Sequence, residues 1–247
     1  GGMITHILDS LNQLTKIQII SMHHEQSAAF VAEGFARMTG IPGIALATSG
    51  PGATNLLTGI GSCYFDSVPC IFITGQVNRH ELKLERNIRQ LGFQETDIVS
   101  MAKPITKACF QIIDPNELQN ILELAFVIST SGRPGPVWLE VPLDIQAAKF
   151  FPNQLKAFQP LIKNGIINFD SQISQINQLL EKAQRPVFLI GNGLRISGAH
   201  IIFKNIAERL GIPCTFTWNA ADILPWEHDL YIGRPGVVAA RAPNFAI

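Results

Sequence analysis

The feature that most constrains this fold is the stretch between Arg37 and Asp66, in which no residue is formally charged. A stretch of that length is sufficient to cross a bilayer as one helix. It nevertheless contains two prolines and six glycines, a density that breaks a continuous helix. These residues are Pro42, Pro51, Gly40, Gly43, Gly50, Gly52, Gly59 and Gly61. We therefore expect a buried strand, a tight turn and a helix of small residues, not a membrane span.

Short apolar runs alternate with helical patterns along the whole chain. The apolar runs predict strands at 17–21, 43–47, 70–74, 137–141, 187–190 and 213–217. Parallel strands that are covered on both faces have continuous apolar sequences of this kind. The alternation therefore predicts an α/β fold with a mainly parallel sheet flanked by helices.

The alternating pattern lapses after Pro142 and then starts again. The lapse contains Pro152 and Pro160 and has little periodicity, which is typical of a linker. We expect a first domain over residues 1–145, a linker over 146–168 and a second, Rossmann-like α/β domain over 169–247. The chain opens on Gly1-Gly2 without a methionine, so we expect the natural start to lie upstream.

Charge and cysteine content exclude several classes of function. Lys plus Arg and Asp plus Glu number 19 each, so no basic excess is present to bind nucleic acid. Charged residues make up 15%, against about 25% in an average chain, which predicts surfaces covered in an oligomer. The four cysteines form no CxxC or Cys/His pair, so we expect neither zinc nor disulfides. With no signal peptide visible, the expected compartment is the reducing cytoplasm.

Glu25 is the main candidate for acid–base chemistry. It follows a predicted strand, begins a predicted helix and has apolar neighbours. Such neighbours would desolvate the carboxylate and raise its pKa into a range that suits proton exchange. The alternative is a glutamate placed at the helix N-terminus because the helix dipole favours it there. The local pattern alone favours this second interpretation.

Two glycine turns are candidate ligand sites. TSGPGATN, residues 48–55, joins a strand to a helix, and its backbone N–H groups are suited to an anion or a polar ligand. GNG, residues 191–193, follows a strand but lacks the third glycine of a dinucleotide-binding loop. For both segments the alternative is a close-packed turn without a ligand.

Five segments in this order resemble the pyrimidine-binding domain of thiamine-diphosphate enzymes, with the acetolactate synthase group as the nearest branch. These are HEQSAAFVAEGFARMTG (24–40), TSGPGATN (48–55), DSVPCIFITGQV (66–77), FQETDIV (93–99) and GRPGPVWLEVPLDIQ (132–146). Residues 170–247 resemble the start of the central domain of that family. The resemblance thus covers nearly the whole chain, and it implies that a first strand precedes Gly1.

The resemblance implies an activity and a catalytic glutamate. The family decarboxylates a 2-keto acid such as pyruvate and transfers the resulting enamine to a second carbonyl. Glu25 matches the glutamate that hydrogen-bonds the aminopyrimidine ring and so promotes deprotonation of the thiazolium carbon. In the acetolactate synthase branch the reaction belongs to branched-chain amino acid biosynthesis. The family's active sites lie between subunits, which implies a homodimer or homotetramer without membrane or nucleic-acid partners.

Other site residues are implied one by one. The family's turn close to the cofactor corresponds to Gly1 and Gly2 of this sequence. Its turn lining the active-site cleft corresponds to Gly50, Pro51, Gly52 and Asn55. Its substrate-pocket positions correspond to Phe93 and Gln94. In the flavin-binding branch of the family, the positions that contact FAD correspond to Arg133, Gly191, Asn192 and Gly193 of this sequence. The GDG…N segment that binds Mg²⁺ and the diphosphate in this family does not occur in the sequence, so we expect the Mg²⁺ ligands outside this chain and expect this chain alone to be inactive.

Two departures leave the substrate open. The segment between Val77 and Phe93 is longer than the typical acetolactate synthase pattern, and Leu143 stands where those enzymes usually have lysine. The alternatives are a thiamine-diphosphate decarboxylase, lyase or carboligase with another substrate, and a non-catalytic fragment that retains the fold.

Overall fold

The computed structural model describes residues 1–149, residue 158 and residues 168–235. The chain divides into two compact units, Gly1–Ile162 and Lys163–Ile247. Most of the predicted linker over 146–168 and the end of the predicted domain over 169–247 lie outside the described residues. Those boundaries therefore stay predictions.

The first unit contains a four-stranded parallel sheet. Its strands are β1 (Gly43–Ala47), β2 (Cys70–Gln76), β3 (Ala108–Gln111) and β4 (Val137–Pro142), in the order β1-β2-β4-β3. Every pairing is parallel, and Thr74 of β2 is paired with Ala47 on one side and Glu140 on the other. The expected α/β fold with a parallel sheet is confirmed.

Helices cover both faces of this sheet. They are α1 (Thr5–Asn12), α2 (Glu25–Thr39), α3 (Pro51–Asp66), α4 (Ile98–Ala102), α5 (Leu118–Thr130) and α6 (Leu143–Gln146). Neighbouring residues of one strand point to opposite faces, so Phe72 and Trp138 pack with α2 and α3, whereas Ile71 and Leu139 pack with α5. This burial on both faces explains the continuous apolar runs of β2 and β4.

The uncharged stretch folds as the sequence predicts, into a strand, a turn and a helix. It forms β1 and α3, with the turn at Ser49 and Gly50 between them. Helix α3 begins at Pro51, a position where proline costs no hydrogen bond. In the described part of the chain, no helix has both the length and the apolar character needed to cross a membrane.

The strand predicted at residues 17–21 is wrong. These residues are irregular, and Ile17, Ile19 and Ile20 are exposed. A strand requires a neighbour for its backbone hydrogen bonds, and none of the described strands pairs with this segment. The apolar run alone therefore did not determine the structure.

The second unit has its own small core. It contains α7 (Asp170–Lys182), β5 (Phe188–Ile190), α8 (Gly193–Ile196), α9 (His200–Leu210) and β6 (Cys214–Phe216). Strands β5 and β6 pair in parallel, and Phe203 of α9 packs in the same cluster as Phe216. The alternation of strands and helices predicted for this segment is confirmed over the described residues.

Candidate functional site

The candidate site lies at the edge where the parallel strands end. The carboxyl ends of parallel strands share one edge, and ligands of α/β proteins bind beyond it. The Thr48–Gly50 turn leaves β1 at this edge, and the chain leaves β2 there at Val77. Glu25, the first residue of α2, is brought to the same turn by the packing of α2 against α3.

Close packing of α2 against α3 places Glu25 beside Asn55. A Cβ built on Gly59 would lie 2.4 Å from the Cβ of Ala29, so the helices touch at this pair. One helical turn earlier on each helix are Glu25 and Asn55, and residues four apart share a face. Accordingly, the Asn55 Nδ2 donates to the Glu25 Oε2 at 3.1 Å.

The same helix contact is continued by polar groups further along. The Ser62 hydroxyl donates to the Glu33 Oε1 at 2.9 Å, and Arg37 donates to both Glu33 and Asp66. Glu33 is 6% exposed, and its charge is compensated by Arg37. This second contact holds the two helices in register, and so it supports the Glu25–Asn55 pair.

The expected rise in the pKa of Glu25 is not what the structure shows. Its own backbone N–H and then the Asn55 amide lower the pKa of this carboxyl, and these bonds outweigh the effect of burial. The residue is only half-buried, because its apolar neighbours lie further along α2. The carboxylate is therefore ionised at neutral pH and can accept a hydrogen bond from a ligand.

Two glycines next to this carboxylate pack closely against Thr48. A Cβ on Gly52 would lie 2.6 Å from the Thr48 Cγ2 and 3.2 Å from the Glu25 Oε1. A Cβ on Gly1 would lie 2.5 Å from the Thr48 Cβ, whereas Gly2 has nothing within 4 Å. Larger side chains at Gly1 and Gly52 would thus collide with Thr48.

The loop that carries Phe93 and Gln94 meets the same turn. Gly50 has φ of 58° and ψ of −125°, a conformation that only glycine adopts readily. A Cβ there would lie 2.8 Å from the Gln94 carbonyl oxygen, and Gln94 itself has a positive φ of 57°. The structure therefore brings Gln94 to the Gly50 turn, and Phe93 beside it is 73% exposed.

Substitution of Gly50 should weaken this junction. We expect Gly50→Ala to lower the free energy of unfolding by about 2 kcal/mol, because it combines backbone strain with a collision at Gln94. Urea denaturation measures the change. Gly132→Ala is the control, since Gly132 also has a positive φ but nothing within 4 Å of a Cβ. An equal loss in both variants would show that the contact with Gln94 has no energetic role.

The residues predicted to contact FAD belong to two different units. Arg133 is exposed in the turn before β4, at the opposite edge of the sheet, and it has no ion pair with a described residue. Gly191, Asn192 and Gly193 follow β5 in the second unit, where Gly193 begins the short helix α8. These positions form a turn after a strand, as predicted.

Sequence reasoning missed three side chains at this edge. Thr48 contacts the positions of both Gly1 and Gly52, and its Oγ1 accepts from the Met3 N–H at 3.4 Å. Gln76 and Glu140 are buried and hydrogen-bonded to each other at 2.8 Å. All three are inside the quoted segments 48–55, 66–77 and 132–146, so the available signal was a polar residue within or just after an apolar strand.

Two of the free cysteines lie next to each other in the core. The Sγ atoms of Cys63 and Cys70 lie 3.6 Å apart, both fully buried as free thiols. The hydrogen bond to Cys70 and burial raise the pKa of the Cys63 thiol, which keeps it protonated. Over residues 1–149, 158 and 168–235, no group of three His, Cys, Asp or Glu residues is arranged to hold a metal ion.

Two family models match the chain. Residues 1–101 match the thiamine pyrophosphate enzyme N-terminal TPP binding domain, and residues 173–247 match the thiamine pyrophosphate enzyme central domain. The first match contains the whole Glu25 site, with its glycine turn and the Gln94 loop. The second contains the GNG turn that follows β5.

Curated relatives align with the whole chain. The chain is 39% identical over 251 residues to a probable acetolactate synthase large subunit of Methanocaldococcus jannaschii. It is 36% identical over 247 residues to the acetolactate synthase isozyme 1 large subunit of Escherichia coli, and 37% over 250 residues to the chloroplastic acetolactate synthase of Arabidopsis thaliana. Each alignment covers 100% of this chain and 41%, 42% and 36% of the respective relative. The chain therefore belongs to the thiamine pyrophosphate enzyme family.

Proposed function

We propose that the protein carrying this chain is an acetolactate synthase-like transferase that depends on thiamine diphosphate. It would decarboxylate a 2-keto acid such as pyruvate and join the remaining carbons to the carbonyl of a second 2-keto acid. The chain spans about two fifths of the length of the relatives named above. The observation that carries the proposal is the Glu25–Asn55 pair at a glycine-lined turn.

The shape and charge of this site suit thiamine diphosphate. Gly1 and Gly52 pack closely against Thr48, Gly2 has open space beside it, and Glu25 presents a half-buried carboxylate whose second oxygen is held by Asn55. An aminopyrimidine ring offers N–H groups to such an acceptor. When bound, thiamine diphosphate supplies the nucleophilic carbon and the electron sink that decarboxylation of a 2-keto acid requires.

Each residue of the site has a separate task in this proposal. Glu25 accepts and returns a proton at its carboxylate, and Asn55 fixes the orientation of that carboxylate by its hydrogen bond. The glycine turns, formed by Gly1, Gly2, Gly50, Pro51 and Gly52, let the cofactor approach the backbone. Phe93 and Gln94, at the rim of the same turn, contact the substrate.

The proposal also includes Mg²⁺, FAD and a homo-oligomer. Mg²⁺ would bind to ligands outside the described residues, and FAD would contact Arg133 and the turn at residues 191–193. Helix α2 exposes an apolar face that a second subunit of a homodimer or homotetramer would cover. This face contains Phe30, Val31, Phe35 and Met38. A cytoplasmic setting fits the free cysteines.

A related activity is the second candidate. Leu143, the first residue of α6, is half-buried and apolar where acetolactate synthases usually carry a lysine. Loss of that charge would change how a carboxylate substrate enters. A thiamine-diphosphate decarboxylase, lyase or carboligase with another substrate is therefore the alternative.

Product analysis tests the proposed activity and separates it from this alternative. The protein as its gene encodes it is incubated with thiamine diphosphate, Mg²⁺ and pyruvate, with or without a second 2-keto acid. We expect acetolactate from pyruvate alone and a mixed product when the second acid is added. Acetaldehyde without either product would favour a decarboxylase. No consumption of any 2-keto acid would favour a non-catalytic protein that retains the fold.

A further inference from the structure

A buried carboxylate lies next to the site but outside the proposed chemistry. Glu140 is on β4, which has β2 and β3 as its neighbours, and it is 1% exposed. Its Oε1 accepts from the Gln76 Nε2 at 2.8 Å, and its Oε2 accepts from the Gln111 Nε2 at 2.5 Å. Burying a carboxylate costs free energy that its hydrogen bonds must offset, so packing alone does not explain its place in this strand.

Gln76 connects Glu140 to the loop that carries Gln94. The Gln76 Nε2 also donates to the Thr96 carbonyl oxygen at 3.0 Å, and its Oε1 accepts from the Val77 N–H at 2.9 Å. The side-chain amide is thus fixed in one orientation, because turning it over would break all of these bonds. The Thr96 hydroxyl in turn donates to the Gln94 carbonyl oxygen at 3.4 Å.

Other hydrogen bonds also support the loop, since the Glu95 carboxylate accepts from the Lys83 and Leu91 N–H groups and the Asp97 carboxylate accepts from the Ser100 N–H. Gln94 has a positive φ, and Phe93 and Gln94 are exposed. Behind the loop is a cavity of about 180 Å³, which is lined by Glu140, Gln76 and Thr96 among others. Strained, exposed residues next to a cavity keep one conformation only where their surroundings fix it.

We propose that Glu140 is a positioning residue that acts through Gln76 to hold the 93–97 loop against the Gly50 turn. The assignment of this loop to the substrate pocket rests on the proposed function. The hydrogen-bond chain from Glu140 to Thr96 does not depend on it. Glu140 sets the position of Gln94 without touching substrate or cofactor.

The chain of bonds favours the ionised form of Glu140. Both carboxylate oxygens already accept an N–H, so a proton on either one would meet a donor and displace an amide. Burial, opposed by the two glutamine bonds, raises the pKa of Glu140 to about 7, and Asp97 and Glu95 add to the rise. Lys83 also lines the cavity, and Cys109 of β3 faces Glu140 as a protonated thiol. The loop should therefore be held above about pH 7 and released below it.

The effect on global stability has the opposite sign. Because the folded-state pKa of Glu140 is raised, its contribution to stability is present below the unfolded-state pKa and is lost as the pH rises through about 7. Loop order and global stability should therefore change in opposite directions over this range. A merely structural carboxylate would show only the second effect.

Hydrogen exchange without cofactor or substrate tests the positioning role. The reporters are the amides of Leu91, Glu95 and Ile98, which donate to acceptors in the loop or directly before it. Glu140→Gln keeps a neutral group at all pH values, so we expect protection of these amides to fall about tenfold at pH 8 and to lose its dependence on pH. Thr74→Val is the matched control, because Thr74 is equally buried on β2 and its Oγ1 has no hydrogen-bond partner.

A second variant breaks the hydrogen-bond chain between Glu140 and Thr96 at Gln76. Gln76→Met keeps Gln111 bonded to Glu140 but breaks the bridge to Thr96, and it should also lower protection of the loop. Unchanged loop protection in Glu140→Gln would overturn the proposal, even where Gln76→Met lowers it. If Glu140→Gln fails to fold, loop protection in the wild type that is the same below and above about pH 7 would overturn the proposal.

Kinetics then test the pocket role separately. In an active enzyme, Glu140→Gln should raise the KM for the 2-keto acid about tenfold while the affinity for thiamine diphosphate stays unchanged. If Glu140→Gln lowers the exchange protection of the 93–97 loop but leaves the KM unchanged, the assignment of this loop to the substrate pocket is wrong. If the wild-type protein turns over no 2-keto acid, the proposed function fails, whereas the exchange result still decides the role of Glu140.

Discussion

Glu25→Gln should abolish proton exchange at the thiazolium carbon of bound thiamine diphosphate, with a loss of about a thousandfold. The glutamine keeps the size of the side chain, and its oxygen can still accept from the Asn55 amide. It cannot take up and return a proton, which is the task proposed for the carboxylate. Hydrogen–deuterium exchange at that carbon, followed by NMR in the protein as its gene encodes it, measures the loss.

The control is the same change at an exposed carboxylate. Glu85→Gln removes one negative charge from the 78–90 segment without altering a described hydrogen bond of the site. We expect proton exchange at the thiazolium carbon to be unchanged in that variant. Exchange at the wild-type rate in Glu25→Gln would refute the role of Glu25 and, with it, the assignment of the site. Thiamine diphosphate binding is measured in parallel, so that lost binding is not mistaken for lost proton transfer.

The strand–turn–helix that carries the site could be predicted because its signals are local. Pro51 marks the first helical residue, and Gly40 ends α2 with a left-handed φ of 72°. The strand at 43–47 was predicted with its observed bounds. In each case the determining residues are within a few positions of the element that they define.

The segments that could not be predicted depend on distant partners. The strand expected at residues 17–21 has a suitable composition but no neighbouring strand among the described residues. Strand β3 was not predicted, although its pairing with β4 through Cys109 and Trp138 completes the described sheet. Strand formation is decided by pairing, which a local pattern does not show.

Prediction of the site is limited in the same way, because its residues are far apart in the sequence. Glu25 could be singled out from its position, but its partner Asn55 is thirty residues away. The direction of the pKa shift therefore could not be predicted, because it depends on the backbone N–H of Glu25 and on the Asn55 amide. Glu140 had no local signal beyond being a charged residue in an apolar strand.

Gly43→Ala should lower the free energy of unfolding by about 3 kcal/mol. Gly43 is the first residue of β1, and a Cβ there would lie 1.9 Å from the Ala32 carbonyl oxygen of α2. The obstacle is backbone, so no side-chain rotation relieves the collision. Helix α2 would have to move away from the sheet, which opens its contact with β1. Urea denaturation of the variant and the wild type measures the change.

Gly34→Ala is the matched control on the same helix. Gly34 is exposed in the interior of α2 and has nothing within 4 Å of a Cβ, so alanine should stabilise the protein by about 0.5–1 kcal/mol. If the free energy of unfolding falls in Gly43→Ala and rises in Gly34→Ala, the loss in Gly43→Ala comes from the contact between α2 and β1. Because Glu25 begins α2, Gly43→Ala should also weaken thiamine diphosphate binding, whereas Gly34→Ala should not. A Gly43→Ala protein of wild-type stability would show that α2 can shift freely, and the sheet would then not fix the position of Glu25.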